Sequence, residues 1–215
     1  MYHNSMRNMS WGHKYKGENR MKKLGMMSLL IIPIGIAINV VCRQVTQMLA
    51  LPIFLDTIGT VLVGVLTGPI GGMITGLLTN AVRAATVNPV SLYFAPVSGV
   101  IGLIAGLASK NNFYSNWIQI CIVGLVLALA GVVTATPIAV IAFGGADGSG
   151  SSIVTGFFLA TGKGIWQSVF SSKIITETVD KILSLIVAIV IIKSVPESTL
   201  VKFPLGMNKI QIKKS

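Results

Sequence analysis

Long apolar stretches, separated by short polar or glycine-proline breaks, dominate the middle of the chain. The first is uncharged over 24–42, and the next, over 50–82, contains one charge, Asp56. A single helix over the second stretch would be about 50 Å long, which exceeds the ~30 Å hydrocarbon core of a bilayer. Gly68-Pro69 near its middle is a turn signal. We therefore predict two short helices, over 53–67 and 70–84.

Three further membrane spans are predicted in the rest of the chain. Uncharged runs place the fourth at 91–108 and the fifth at 115–143. The last apolar run, 182–192, has only 11 residues. A crossing needs roughly 20 residues, so the sixth span must extend back to about 173 and end near 193. It then carries charged residues into the membrane, where they cost at least ~2.5 kcal/mol each and usually mark a pathway or ligand contact.

These patterns predict an all-α, polytopic membrane protein with six transmembrane helices in one domain, residues 22–196. Residues 1–21 are expected to form a disordered basic tail, or an extension upstream of a start at position 21. Residues 197–215 are expected to form a basic cytoplasmic tail. A glycine-serine stretch followed by an amphipathic segment with Trp166 predicts that 144–172 is a long extracellular loop with a short interfacial helix.

Composition and the distribution of charge support a membrane location. Of the residues, 53% are hydrophobic and 11% are charged, against about 25% charged in soluble domains, and mean hydropathy is +0.79. The net charge of +11 comes largely from basic clusters that flank the spans. In the predicted topology, 12 basic residues lie inside and 5 outside. This bias predicts that both termini are cytoplasmic in a multi-pass protein of the bacterial plasma membrane, and it argues against nucleic-acid binding.

No catalytic or metal-binding constellation is recognisable. Both histidines, His3 and His13, lie in the polar leader, so neither is placed to bind a metal or to activate a serine in the spans. The stretch at Gly162-Lys163 is similar to a phosphate-binding loop, but Gly164 stands where Ser or Thr is required. The two cysteines lie in or beside apolar runs and indicate no disulfide framework. We therefore expect neither an enzyme nor a bound cofactor.

The predicted topology gathers polar side chains on the outer side of the membrane. They lie at the outer ends of the second and third spans, in the outer half of the sixth span, and in the flanking loops. A cavity that opens to the exterior, with the long loop able to cover it, would capture a small polar molecule. The candidate substrate-binding residues are Asp56, Asn80, Arg83, Asn88, Trp166, Glu177, Asp180 and Lys181.

Each candidate also has a structural interpretation. Glu177 is four residues from Lys173 and from Lys181, so the three charges share a helix face and can neutralise one another. Asp56 and Arg83 can pair with each other within the bundle, and Trp166 can act only as an interfacial anchor. Glycines that recur at four-residue spacing are better explained by close helix packing than by a ligand site.

Three segments together resemble the substrate-binding S components of energy-coupling factor (ECF) vitamin transporters. They are FLDTIGTVLVGVLTGPIGGMITGLLTN, NPVSLYFAPVSGVIGLIAGL and ETVDKILSLIVAIVIIKSVP, and the resemblance covers about residues 22–196. It implies a six-helix protein that binds a micronutrient from outside. It also implies a membrane coupling subunit and two cytoplasmic ATPases as partners, with ATP hydrolysis in those partners. The family often docks through an Ala-x-x-x-Ala motif in the first helix, which makes Gly35 and Ala37 the candidate docking residues here.

The leading hypothesis is therefore a subunit that captures a water-soluble vitamin or precursor for ATP-driven uptake. Three carboxylates among the candidates mildly favour a ligand with a positive or amine-bearing ring. The alternative is a membrane sensor that binds a ligand and signals to a partner without transport. A small channel is disfavoured because no span carries a continuous polar stripe.

Overall fold

The computed structural model describes residues 26–206, and every regular element in that range is helical. The predicted tail at 1–21 and the last nine residues of the predicted C-terminal tail lie outside the described residues. In chain order the elements are α1 (Met26–Met48), α2 (Ile58–Thr67), α3 (Pro69–Thr86), a 3₁₀ helix (Pro89–Phe94), α4 (Ala95–Lys110), α5 (Trp117–Phe143), α6 (Ser151–Ala160), α7 (Ile165–Ser194) and α8 (Glu197–Leu200).

The break within the second apolar stretch falls where the sequence predicts it. Gly68 separates α2 from α3 with φ of 98°, a left-handed conformation that favours glycine. Pro69 is the first residue of α3, where its missing N–H costs no helical hydrogen bond. The stretch therefore forms two short helices that return on each other.

Three segments in the described part of the chain are long and apolar enough to cross a membrane. They are α1, the continuous helical segment Pro89–Lys110, and α5. The remaining helices are either shorter, as α2 is, or more polar, as α3 and α7 are. The structure therefore establishes an all-helical protein of membrane character.

The short helix α2 lies at the centre of the bundle. Every residue from Ile58 to Leu66 is buried, and α2 packs against α1, α3, α4 and α7. The apolar core continues from Val61 and Leu66 to Ile101 of α4 and Leu127 of α5. A helix that is apolar on all sides is stable only when neighbouring helices cover it completely. The four helices around α2 provide this cover, so the short segment is stable as a helix.

Backbone contacts between α3 and α4 explain the glycine spacing. A Cβ on Gly72 would collide with the carbonyl of Gly102, and a Cβ on Gly102 would collide with that of Gly72. Gly35 of α1 and Gly59 of α2 make a similar close contact. These glycines therefore let helices approach within backbone distance, as in other membrane bundles.

The two ends of the bundle are closed differently. At one end, the amide of Leu205 donates to the carbonyl of Leu66 at 3.1 Å, so the segment after α8 covers the α2–α3 turn. At the other end, the loop between α1 and α2 meets the loop between α5 and α6, where Gly150 packs against the carbonyl of Leu51. The polar residues of the predicted site lie at this second end.

One boundary differs clearly from the prediction. The last long helix begins at Ile165 and not near 173, so the end of the predicted 144–172 loop is helical. Packing against α6 accounts for the difference, because the Ser172 hydroxyl donates to the carbonyl of Ser151 at 3.1 Å and both residues are buried. Apolar content alone places the start of α7 too late.

Candidate functional site

A polar cavity lies at the end of the bundle opposite the α2–α3 turn. It measures about 680 Å³, including the part that opens to solvent. Residues of α1, α3, α4, α5, α7 and three loops line it, so no single element builds the site. Its charged lining residues are Arg43, Asp56, Arg83, Asp147, Lys173, Glu177 and Lys181.

A buried cluster of charges on α7 forms one wall. The Lys181 ammonium lies 3.1 Å from a Glu177 carboxylate oxygen and 2.5 Å from an Asp180 oxygen. All three residues are at most 3% exposed. A buried charge is tolerated when it is paired and hydrogen-bonded, so Lys181 is neutralised within the protein. The Glu177–Lys181 pairing predicted from the i, i+4 spacing is present.

Glu177 faces the cavity and contacts α5 at a glycine. A Cβ on Gly131 would press against the Glu177 carboxylate oxygen, so only glycine leaves room for the side chain in this position. That oxygen accepts no well-directed hydrogen bond, although the Lys181 ammonium is nearby. Glu177 therefore lines the cavity with one carboxylate oxygen held between Lys181 and Gly131.

Asp180 is not among the residues that line the cavity, and its contact with a ligand stays a prediction. One carboxylate oxygen accepts hydrogen bonds from the backbone amides of Phe54 at 2.9 Å and Leu55 at 2.6 Å. Leu55 has φ of 51°, an unusual conformation for a non-glycine residue. Asp180 therefore anchors the α1–α2 loop, which carries Phe54 and Asp56 to the cavity.

A second ion pair involves Lys173, one helical turn before Glu177 on α7. The Lys173 ammonium lies 3.6 Å from the Asp147 carboxylate and packs over the rings of Phe54 and Phe94. Lys173 therefore pairs with Asp147 and not with Glu177 as the spacing suggested. The contact joins α7 to the loop that follows α5.

The same contacts determine the ionisation of Asp147. Burial raises the pKa of this carboxyl, but the nearby Lys173 ammonium and hydrogen bonds from Ser149 and Ser152 outweigh that effect and hold the pKa below its ordinary value of 3.8. Asp147 is therefore a carboxylate at neutral pH.

Two arginines and an uncharged amide form the third part of the lining. Arg83 is 3% exposed, and its Nη2 donates to the Gln47 side chain at 3.3 Å. Its Nη1 is buried without a partner in the described residues. Arg43 lies over the Phe54 ring, with its guanidinium carbon 4.3 Å from the centroid. Asp56 also lines the cavity, but no ion pair joins it to Arg83 within the 4.0 Å limit for such pairs.

Neutral polar groups complete the lining. The Asn80 amide donates to the Ser98 hydroxyl at 2.8 Å, which links α3 to α4. The Asn88 side chain caps the 3₁₀ helix by accepting from the Val90 amide at 3.0 Å. Both asparagines line the cavity, as predicted from their positions in the sequence.

Trp166 and the predicted docking residues lie away from this cavity. Trp166, near the start of α7, is 52% exposed and is not among the lining residues. Gly35 is buried against Val63 and Gly59, and its docking role stays a prediction. Ala37 is exposed on α1.

Several charged and aromatic residues of the lining are not predicted from the sequence. Arg43 directly follows the first uncharged stretch, where the sequence predicts no site, and Asp147 lies in the predicted loop 144–172. A usable signal was available, since a chain with 6 acidic residues rarely places one in a loop without a role. The aromatic residues Phe54 and Phe94 carried no signal, because phenylalanine is ordinary in a membrane protein.

The chemical groups of the cavity are suited to binding a polar molecule. Its side chains provide cations, carboxylates, amides and two aromatic faces, which together recognise a small polar molecule. Within residues 26–206, no group of three or more His, Cys, Asp or Glu side chains is arranged to hold a metal ion.

Comparison with known proteins gives one match. A family model described as "ECF transporter, substrate-specific component" matches residues 27–192, which include every helix that lines the cavity. No curated protein and no solved structure matches the chain.

Proposed function

The chain belongs to the substrate-specific component family of ECF transporters, and on this basis we propose that it captures a small water-soluble vitamin or precursor for uptake. It is a membrane-embedded subunit of a transporter. We infer that its substrate binds in the cavity beside Glu177. The observation that carries the proposal is the concentration of charge there. Seven charged residues line one cavity in a chain that is only 11% charged.

Burial makes this concentration significant. Charged groups are expensive in a membrane protein and usually face an interior cavity with a function. Internal pairing satisfies Lys173 and Lys181, but Arg83 keeps an unpartnered buried N–H group. A purely structural network would be expected to satisfy all of its members. We therefore propose Arg83 as a substrate contact, together with the cavity-lining residues Arg43, Asp56, Asn80, Asn88 and Glu177.

We further propose that α1, α2, α3, α4, α5 and α7 cross the bilayer in alternating directions. The start of α1 and the segment after α8 then lie at the end of the bundle opposite the cavity. One basic cluster lies within the first 23 residues and another begins at Lys193. Both favour a cytoplasmic location for the end of the bundle opposite the cavity. The cavity would therefore open to the exterior of a bacterial plasma membrane, with the 144–150 loop and α6 beside its mouth.

The proposed partners are a membrane coupling subunit and two cytoplasmic ATPases. Family membership supports an ECF module in general terms. The exposed apolar face of α1, which includes Ile34, Ala37 and Val41, is the proposed contact with the coupling subunit. A sensor that signals without transport is the alternative, since it would use the same cavity. Affinity purification from native membranes separates the two, because only the transporter subunit would retain ATPases.

Substrate capture is tested with protein purified in detergent. Bound small molecules are released by denaturation and identified by mass spectrometry, and a panel of radiolabelled water-soluble vitamins is then tested for binding. We expect one compound to bind at a 1:1 ratio and to be displaced by an excess of the unlabelled form. Absence of any co-purified molecule and of any binding across the panel would refute the proposed function.

A further inference from the structure

We infer that the ligand of this cavity carries an anionic group, a carboxylate or a phosphate, which binds between Arg43 and Arg83. This inference rests on the proposed function, because it names the class of molecule that the cavity would capture. It also reverses the expectation from the sequence, in which an excess of carboxylates favoured a positive ligand.

The lysines of the cavity are in ion pairs and its arginines are not. Both cavity lysines are neutralised, Lys173 by Asp147, and Lys181 by Glu177 and Asp180. Neither cavity arginine lies within 4.0 Å of a carboxylate in the described part of the chain. The carboxylates that the sequence suggested as ligand contacts are therefore largely committed to lysines.

Neighbouring side chains hold both guanidinium groups in place. Arg83 is 3% exposed, with one terminal nitrogen bonded to Gln47 and the other buried and unpartnered. Arg43 lies one helical turn before Gln47, and its guanidinium lies over the Phe54 ring. Stacking and the Gln47 contact orient these groups before a ligand arrives. Planar guanidinium groups with free N–H edges bind carboxylates and phosphates in a paired geometry.

The unpaired charges beside the arginines do not balance one another. Asp56 is the cavity carboxylate without an ion pair in residues 26–206, against two arginines in the same position. Beside the arginines, two positive charges therefore face one negative charge, whereas the surplus negative charge lies at Lys181, which is paired with both Glu177 and Asp180. An anionic group balances the charge beside the arginines, whereas a cationic group there would add to the local excess. A neutral ligand would leave the buried Arg83 nitrogen without a charged partner.

The test compares probes that differ only in an acidic group. Purified protein is titrated with nicotinate against nicotinamide, pantothenate against pantothenol, and pyridoxal 5′-phosphate against pyridoxal, with binding measured by calorimetry. The molecule released from the purified protein is identified in parallel. For the pair that binds, we expect the acidic member to bind at least about tenfold more tightly, as a charge-assisted hydrogen bond predicts. The first two pairs test a carboxylate and the third a phosphate.

Variants identify the residues responsible. Arg43→Gln is expected to weaken binding of the acidic member much more than binding of its neutral partner, and so to remove most of the preference for the acid. Arg83→Gln should act in the same way, and Arg43→Gln keeps the test valid if loss of the buried Arg83 impairs folding. Lys110→Gln, an exposed charge at the other end of the bundle, is the matched control and should retain the preference.

The outcomes separate this inference from the function on which it rests. A neutral member that binds as tightly as its acid, or a co-purified molecule without an acidic group, overturns the inference and leaves substrate capture intact. An acid preference that survives both arginine substitutions also overturns it. If no probe binds and no molecule co-purifies, the proposed function itself fails.

Discussion

The Asp180 carboxylate accepts a hydrogen bond from the backbone amide of Phe54 at 2.9 Å, although the two residues are 126 positions apart in the chain. This contact ties α7 to the α1–α2 loop beneath the cavity. The same oxygen accepts from Leu55, whose unusual backbone conformation depends on such support. Asp180 therefore acts on the site through the loop that it positions.

We expect Asp180→Asn to lower both stability and ligand affinity. The amide can still accept one backbone hydrogen bond, but it removes the negative charge beside Lys181. Losing one partner of a buried ion pair costs about 3–5 kcal/mol, reduced here because Glu177 still pairs with Lys181. Thermal unfolding in detergent measures the loss, with Glu197→Gln as the exposed control. A melting temperature equal to that of the wild type would show that the loop needs no such anchor.

Glu177→Gln should weaken ligand binding while preserving the fold. Glutamine keeps the size of the side chain, and Lys181 retains Asp180 as its partner. A lost charged hydrogen bond to ligand corresponds to about 1.5–3 kcal/mol, or roughly tenfold or more in affinity. Calorimetry with the co-purified molecule measures the change. Unaltered affinity together with a lowered melting temperature would assign Glu177 a structural role only.

The contact between α3 and α4 predicts a contrast between two glycine substitutions. Gly102→Ala places a methyl group against the backbone of Gly72 and should destabilise the protein by about 1–3 kcal/mol through overpacking. Gly156→Ala in α6 meets nothing within 4 Å and should be neutral or stabilising by up to about 1 kcal/mol. Melting temperatures of the two variants test the difference. Equal values would mean that the helices separate at no cost.

The ion pair between Asp147 and Lys173 predicts a defined pH dependence. The pKa of Asp147 is below its ordinary value of 3.8 in the folded protein, so its stabilising contribution is complete above pH 3.8 and is lost as the pH falls through the folded pKa. Asp147→Asn should therefore lower the melting temperature by a constant amount between pH 8 and pH 5. Scans of both proteins across this range provide the measurement. A deficit that grows as the pH falls from 7 to 5 would indicate that the pKa of Asp147 is raised in the folded protein.

The proposed orientation predicts which loops face the exterior. In a variant in which Cys42 and Cys121 are replaced by alanine, Ala146→Cys should react with a membrane-impermeant maleimide added to intact cells. Asn111→Cys, in the loop after α4, should react only after lysis. Both positions are exposed, so sidedness and not burial decides the result. The opposite pattern would invert the topology, and equal labelling of both would contradict an odd number of crossings between them.

The site was predicted only in part, for a physical reason. The row of polar residues in apolar surroundings identified Asp56, Asn80, Arg83, Asn88, Glu177 and Lys181, all of which line the cavity. Asp180 and Trp166 met the same criterion and lie outside it. The free-energy cost of placing a polar or charged side chain in a membrane indicates that the residue has a role. This cost does not show whether the residue contacts a ligand or supports a neighbouring loop.

The sequence by itself determined the helical, membrane character of the protein, the break at Gly68-Pro69 and the pairing of Glu177 with Lys181. These features follow from local rules of length, turn chemistry and helical spacing. Only the tertiary structure decided that Asp147 neutralises Lys173, that Asp180 holds Phe54 and that the arginines remain free of carboxylates. Such pairings join elements far apart in the chain, and the distance between two side chains depends on how the helices pack.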